Sequence, residues 1–119
     1  ETLERRIDGE LKGTSKVEGR VVVEAGAELV DSHVRGPAII GVGARIAGSY
    51  IGPFTAIGDG CEILDSEVEH SVVMASSRIV GVPRLIDSLI GRGCTVTRTG
   101  QRPAATRVML GDDSSVDLE

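Results

Sequence analysis

Aliphatic residues recur along this chain at a spacing that neither a helix nor an ordinary strand produces. Val17, Val23, Leu29, Val34, Ile40, Ile46, Ile51, Ile57 and Ile63 are separated by steps of 6, 6, 5, 6, 6, 5, 6 and 6, so any three consecutive steps sum to 17. A helix returns side chains to one face every ~3.6 residues and a strand every ~2. A second marker keeps the longer period: Ser15, Ser32, Ser49 and Ser66 each precede an aliphatic anchor by two residues. The phase then slips. Ser71 follows Ser66 after five residues, and Ser88 follows Ser71 after 17. Past the slip the anchors are Val73, Ile79, Leu85, Ile90 and Val96.

Four residues after most six-step anchors stands a small or compact residue. These are Ala27, Ala38, Ala44, Thr55, Cys61, Ser77 and Cys94, with Val21 and Pro83 as larger cases. Glycine follows the anchor directly at Gly41, Gly52, Gly58 and Gly91. Each unit therefore reads as a short strand plus a turn, with three units closing one triangular coil. The anchor points inward, the small residue fills an interior corner, and Gly or Asp takes the strained turn conformation. Coils stacked at about 4.8 Å place Ile40 between Val23 and Ile57. A sandwich of short strands has no reason to keep a period of 17. The expectation is an all-β protein, a parallel β-helix of hexapeptide repeats with about five coils, stable because each coil covers its neighbour.

Within that reading, residues 1–14 are a linker or the end of a connecting helix, 15–96 the β-helix, and 97–119 a loop with a closing hexapeptide. The segment "VEHSV" (Val68 to Val72) reads as an extra short face, a bulge or corner. Thr97 to Arg107, with Arg98, Arg102 and Arg107, leaves the stack, and Leu110 and Val116 anchor the closing repeat. A start without Met suggests a piece of a longer protein.

Composition agrees with such a core. One Phe, one Tyr and no Trp leave Val, Ile, Leu and Ala to fill it, and 16 glycines serve the turns. A net charge of -5 and the lack of a basic, aromatic-bearing stripe argue against nucleic-acid binding. No apolar run reaches the ~20 residues of a membrane span, so a soluble, cytoplasmic protein with no membrane partner is expected. For Cys61 and Cys94 a disulfide and simple burial compete; both fall at the small interior position, which favours packing.

His33 and His70 are the only histidines. A three-histidine zinc site lacks a ligand, so no metal is expected. His70 is the one candidate for a general base, deprotonating an acceptor amine or hydroxyl in an acyl-CoA-dependent acyltransferase, with the loop arginines on phosphates. The plainer reading makes both histidines surface residues beside turns and the loop a docking surface. "GDGC" and "GDDSS" read as coil corners without a following helix, so not as phosphate loops; for Asp112 and Asp113 weak cation binding and a solvated turn compete, and the turn is the expectation. Val22, Val30, Ile39, Tyr50 and Leu64 point outward on this phasing and are expected to cover subunit or domain contacts.

The stretches "RRIDGELKG", "SKVEGRVVVEAGAEL", "SHVRGPAIIGVGARI", "SYIGPFTAIGDGCEI", "DSEVEHSVVM", "GVPRLIDSLIGRGCTV" and "RVMLGDDSSV" resemble the C-terminal domain of long-form glucose-1-phosphate thymidylyltransferases. That resemblance implies a left-handed winding and a homo-oligomer, trimer or tetramer, built through the β-helix. It also implies an N-terminal catalytic domain as partner, which holds Mg²⁺ and joins glucose 1-phosphate to dTTP with release of pyrophosphate. No catalytic or cofactor-binding residue of that family falls within these residues. The chain alone is expected to be inactive and to serve assembly or regulation.

Overall fold

A computed structural model describes residues 5–98 and 109–118. Strands of two to four residues alternate with tight corners. The first coil is β1 (Arg5–Ile7), β2 (Glu10–Lys12) and β3 (Lys16–Glu18). The second is β4 (Val21–Val23), β5 (Glu28–Val30) and β6 (His33–Arg35), and the third β7 (Ala38–Ile40), β8 (Arg45–Ala47) and β9 (Tyr50–Ile51). The fourth is β10 (Thr55–Ile57), β11 (Glu62–Leu64) and β12 (Glu67–Glu69), and the fifth β13 (Val72–Val73), β14 (Arg78–Val80) and β15 (Leu85–Ile86). Two further rungs show two strands each among the described residues: β16 (Leu89–Ile90) with β17 (Thr95–Arg98), and β18 (Met109–Leu110) with β19 (Ser115–Leu118).

Every described strand pairs in parallel with its counterpart one coil away, giving, among the described residues, a first face of seven strands, a second of seven and a third of five. The molecule is thus the all-β solenoid of stacked parallel strands that the repeat implies. Registers join residues 17 apart through most of the stack, such as Val23 with Ile40 and Ile40 with Ile57. The interior is aliphatic: Val23, Ile40, Ile57 and Ile90 line the first face, Leu29, Ile46, Ile63 and Ile79 the second, and Val34, Ile51, Val68 and Leu85 the third, all buried.

Three expectations need correction. Residues 5–12 are strands of a first coil, not a helix end: Ile7 pairs with Val23 and Leu11 with Leu29. Residues 1–4 lie outside the described residues. Leu11 is 44% exposed, β2 standing at the end of its sheet among the described residues. Next, Val68–Val72 holds the expected corner, at His70 with φ 52, but adds no extra face. Val68 is an ordinary anchor stacked on Ile51 and under Leu85. Finally, Val82 and not Pro83 is the buried corner residue.

The phase slip has a definite cause. Corners between anchors five residues apart share one form: anchor, any residue, a residue with positive φ, serine, any residue, anchor. Asp31, Gly48 and Asp65 hold the positive-φ place at the second corner, between the second and third faces. His70 and Asp87 hold it at the third corner, between the third and first faces. The tight corner therefore moves from one edge of the prism to the next, and the coil that contains both turns in 16 residues, pairing Ile63 with Ile79.

The serines explain their own period. The Ser32, Ser49 and Ser66 hydroxyls donate to the carbonyls two residues back, each at 2.8 Å. Each hydroxyl also accepts from the next coil: Ser49 N–H to Ser32 at 3.1 Å, Ser66 N–H to Ser49 at 3.1 Å, and Val82 N–H to Ser66 at 2.9 Å. Ser71 and Ser88 repeat the device at the third corner. Buried backbone amides that the corners pull out of the strand ladder thus find partners.

Glycine after an anchor serves close approach. A Cβ on Gly58 would lie 2.6 Å from the Ala75 nitrogen of the next coil. Positive φ falls two residues later, at Gly43, Gly60 and Gly93.

Three substitutions test this account. Ser49→Ala removes the acceptor of a buried amide and should cost about 1–3 kcal/mol, read as a lower urea midpoint. Gly58→Ala should cost about 1–3 kcal/mol through overpacking and shift amide resonances around Ala75. Gly43→Ala, at φ 69 with open space around it, should cost about 1 kcal/mol and perturb its own turn alone.

Candidate interaction surface

The three faces differ in what they show to water. On the second face Glu28 lies 3.2 Å from the Lys12 ammonium and 3.8 Å from the Arg45 guanidinium. Glu62 and Arg78 meet at 2.9 Å one step further along the same register. The third face is polar as well. Lys16, His33, Tyr50 and Glu67 stand in register, and the His33 and Tyr50 rings meet edge to face at 5.4 Å.

Glu18 sits beside this row, 3.1 Å from Lys16 Nζ and 3.2 Å from His33 Nε2. Its carboxyl is held below the ordinary range, by the Lys16 hydrogen bond first and the His33 hydrogen bond second. A carboxyl lowered on folding stabilises the fold above its unfolded pKa, and that contribution fades as pH falls through the folded value. In a carboxyl-detected NMR titration Glu18 should titrate at lower pH than ordinary exposed glutamates, and Lys16→Ala should move it back up.

The first face is different. Its strands read inward, outward, inward, so one side chain per rung faces solvent. Val22, Ile39, Ala56, Val72 and Leu89 stand in one register row. Ile39 is 50%, Val72 45% and Leu89 46% exposed. Of the five outward residues singled out from the sequence, Val22 and Ile39 belong to this row. Val30 and Leu64 are half-buried on the second face and Tyr50 on the third, so the five do not form one surface.

At the edge of the row stands the third corner. Phe54 is 63% exposed with φ 60, a conformation that costs a bulky residue about 1–3 kcal/mol. Its ring meets His70 edge to face at 5.1 Å. His70 Nδ1 lies 3.7 Å from Asp87 Oδ1, both side chains being about half exposed. At that separation the two side chains are neighbours rather than a hydrogen-bonded dyad. His33 lies on the third face and His70 on the corner beyond it, and among the described residues no group of three or more His, Cys, Asp or Glu is placed to hold a metal ion.

Cys61 and Cys94 are free and buried. They occupy one interior column with Ser77 between them, since the Ser77 hydroxyl accepts from Cys94 N–H. Two coil spacings separate them by about 9.6 Å, beyond disulfide reach. The Cys61 thiol donates to the Met74 carbonyl at 3.0 Å, and burial pushes its pKa up. Arg102 and Arg107 lie outside the described residues, as does the side chain of Arg98. No helix among the described residues is long and apolar enough to cross a membrane.

The geometry defines a class: a three-faced parallel β-solenoid of hexapeptide repeats with one apolar outer face. No protein-family model matches the sequence. The chain is 50% identical over 119 residues to a glucose-1-phosphate thymidylyltransferase of Streptomyces antibioticus, and 47% identical over 118 residues to one of Streptomyces griseus. It spans 33% of the length of each of these relatives. Over that third, the resemblance drawn from the repeats holds along essentially the whole chain: it is a relative of part of the glucose-1-phosphate thymidylyltransferases.

Proposed function

We propose that this chain is the C-terminal, non-catalytic assembly domain of a glucose-1-phosphate thymidylyltransferase. In that protein an N-terminal domain, with bound Mg²⁺, transfers a thymidylyl group from dTTP to glucose 1-phosphate, forming dTDP-glucose and pyrophosphate in the cytoplasm. The β-solenoid brings subunits together and carries the catalytic domains. The observation that carries this reading is the apolar row on the first face, in a chain similar end to end to one third of two such enzymes. Exposed contiguous apolar surface of this kind marks interfaces. The purified chain should therefore run above monomer mass in light scattering and form no dTDP-glucose from dTTP, Mg²⁺ and glucose 1-phosphate. A strictly monomeric chain, or one that turns over these substrates, contradicts the proposal.

A second reading draws on the His70–Asp87 neighbourhood. In it His70 acts as general base of an acyl-CoA-dependent acyltransferase. Acyl-CoA binding that His70→Ala abolishes supports it; calorimetry showing no acyl-CoA affinity removes it.

A further inference from the structure

The first coil is joined to the second differently from every later coil. The second coil buries Val23, Leu29 and Val34, and the three coils after it bury their own anchors in the same way. In the first coil Ile7 and Val17 are only half-buried and Leu11 is 44% exposed, among the described residues. Apolar stabilisation scales with the area removed from water, so the hydrophobic hold on this coil is the weakest in the stack.

Charged contacts cross the gap instead, one on each face. On the first face Arg6 reaches Glu24 at 2.7 Å. On the second Lys12 reaches Glu28 at 3.2 Å, and the hydrogen bond to Glu28 is the main cause that raises the Lys12 pKa. On the third Glu18 lies 3.2 Å from His33 Nε2. Among the described residues no other step of the stack has such a contact on all three faces. The second and third coils share Glu28 with Arg45 at 3.8 Å. The fourth and fifth share two, Glu62 with Arg78 and Glu69 with Arg84. The six side chains that join the first coil to the second are all partly exposed, so dissolved ions reach and screen each contact.

We propose that the first coil, Arg5 to Glu18, is an electrostatic clasp that opens as one unit when salt screens its three contacts, while the coils after it stay closed. The first coil covers the edges of β4, β5 and β6. Its opening leaves three strand edges unpaired, the kind of surface on which further strands add. Ionic strength then sets how often this chain presents them.

The test is native-state amide exchange of the whole chain, followed by NMR at fixed pH. The Asp8, Glu10 and Lys16 N–H groups donate to second-coil carbonyls and report the opening. The Gly41 and Gly58 N–H groups donate to carbonyls deeper in the stack and serve as controls. Sodium chloride is raised from ~0.01 M to ~1 M, which shortens the reach of a charge from ~30 Å to ~3 Å. Protection of the three reporters should fall about threefold or more relative to the controls. Glu24→Arg sets two cations together on the first face. At low salt it should lower protection at Lys16, on the third face, and adding Arg6→Glu should restore it. Glu62→Gln, in the middle of the stack, should leave Lys16 as in the parent chain. Circular dichroism checks that each variant folds, and the salt series on the parent chain needs no variant. Reporters that ignore salt, a fall shared equally by the controls, or a reversed pair that fails to restore Lys16 overturns the proposal.

Discussion

Every residue in this fold must fit above and below its own counterpart. Parallel pairing sets neighbouring coils at the strand spacing of about 4.8 Å, so a side chain chosen at one position is chosen for a whole column. Ile40 is acceptable because Val23 and Ile57 are also branched aliphatics of similar width. The same rule governs polar groups. Ser32, Ser49 and Ser66 form a continuous relay because each hydroxyl meets the next amide. It governs charges as well, where Glu28 sits between cations on both neighbouring rungs instead of beneath another carboxylate.

That constraint is why so much of the fold is legible in the sequence. A column leaves a fixed period, and the aliphatic anchors from Val23 to Val96 point inward as the period requires. What the period misses is whatever depends on the path of the chain between anchors. Ser66 and Ser71 do mark two tight corners in one coil, but five-residue spacing alone does not tell a tight corner from an added face. Only the pairing of Val68 with Ile51 decides that. Arg5 to Lys12 is hard to read because it pairs with a coil on one side only among the described residues, so the period repeats in one direction there. Leu11 accordingly has charged residues beside it and solvent over it.

The surface was less legible for a related reason. Outward positions obey the column rule only loosely, since water tolerates almost any side chain. Val22, Val30 and Tyr50 look alike in a list of non-inward residues, yet they lie on three different faces. The useful signal was the strand phase. First-face strands turn one residue outward and second-face strands turn two, which leaves the row from Val22 to Leu89 without charged neighbours on its own strands from β4 to β16. His70 shows the opposite hazard. As one of two histidines it attracts a chemical role, whereas its position, directly before Ser71, is one that Asp31 and Asp65 fill elsewhere.

The migrating tight corner carries a consequence for how such proteins change length over time. A residue gained or lost at a vertex is absorbed there, because the next strand still arrives with the same side chains facing the axis. The coil from Ile63 to Ile79 is one residue shorter than the coils on either side and still keeps its anchors inward. The same single-codon change inside a three-residue strand would turn its interior out. Surviving insertions in this lineage should therefore collect along the edges of the prism, and its flat sides should keep their lengths.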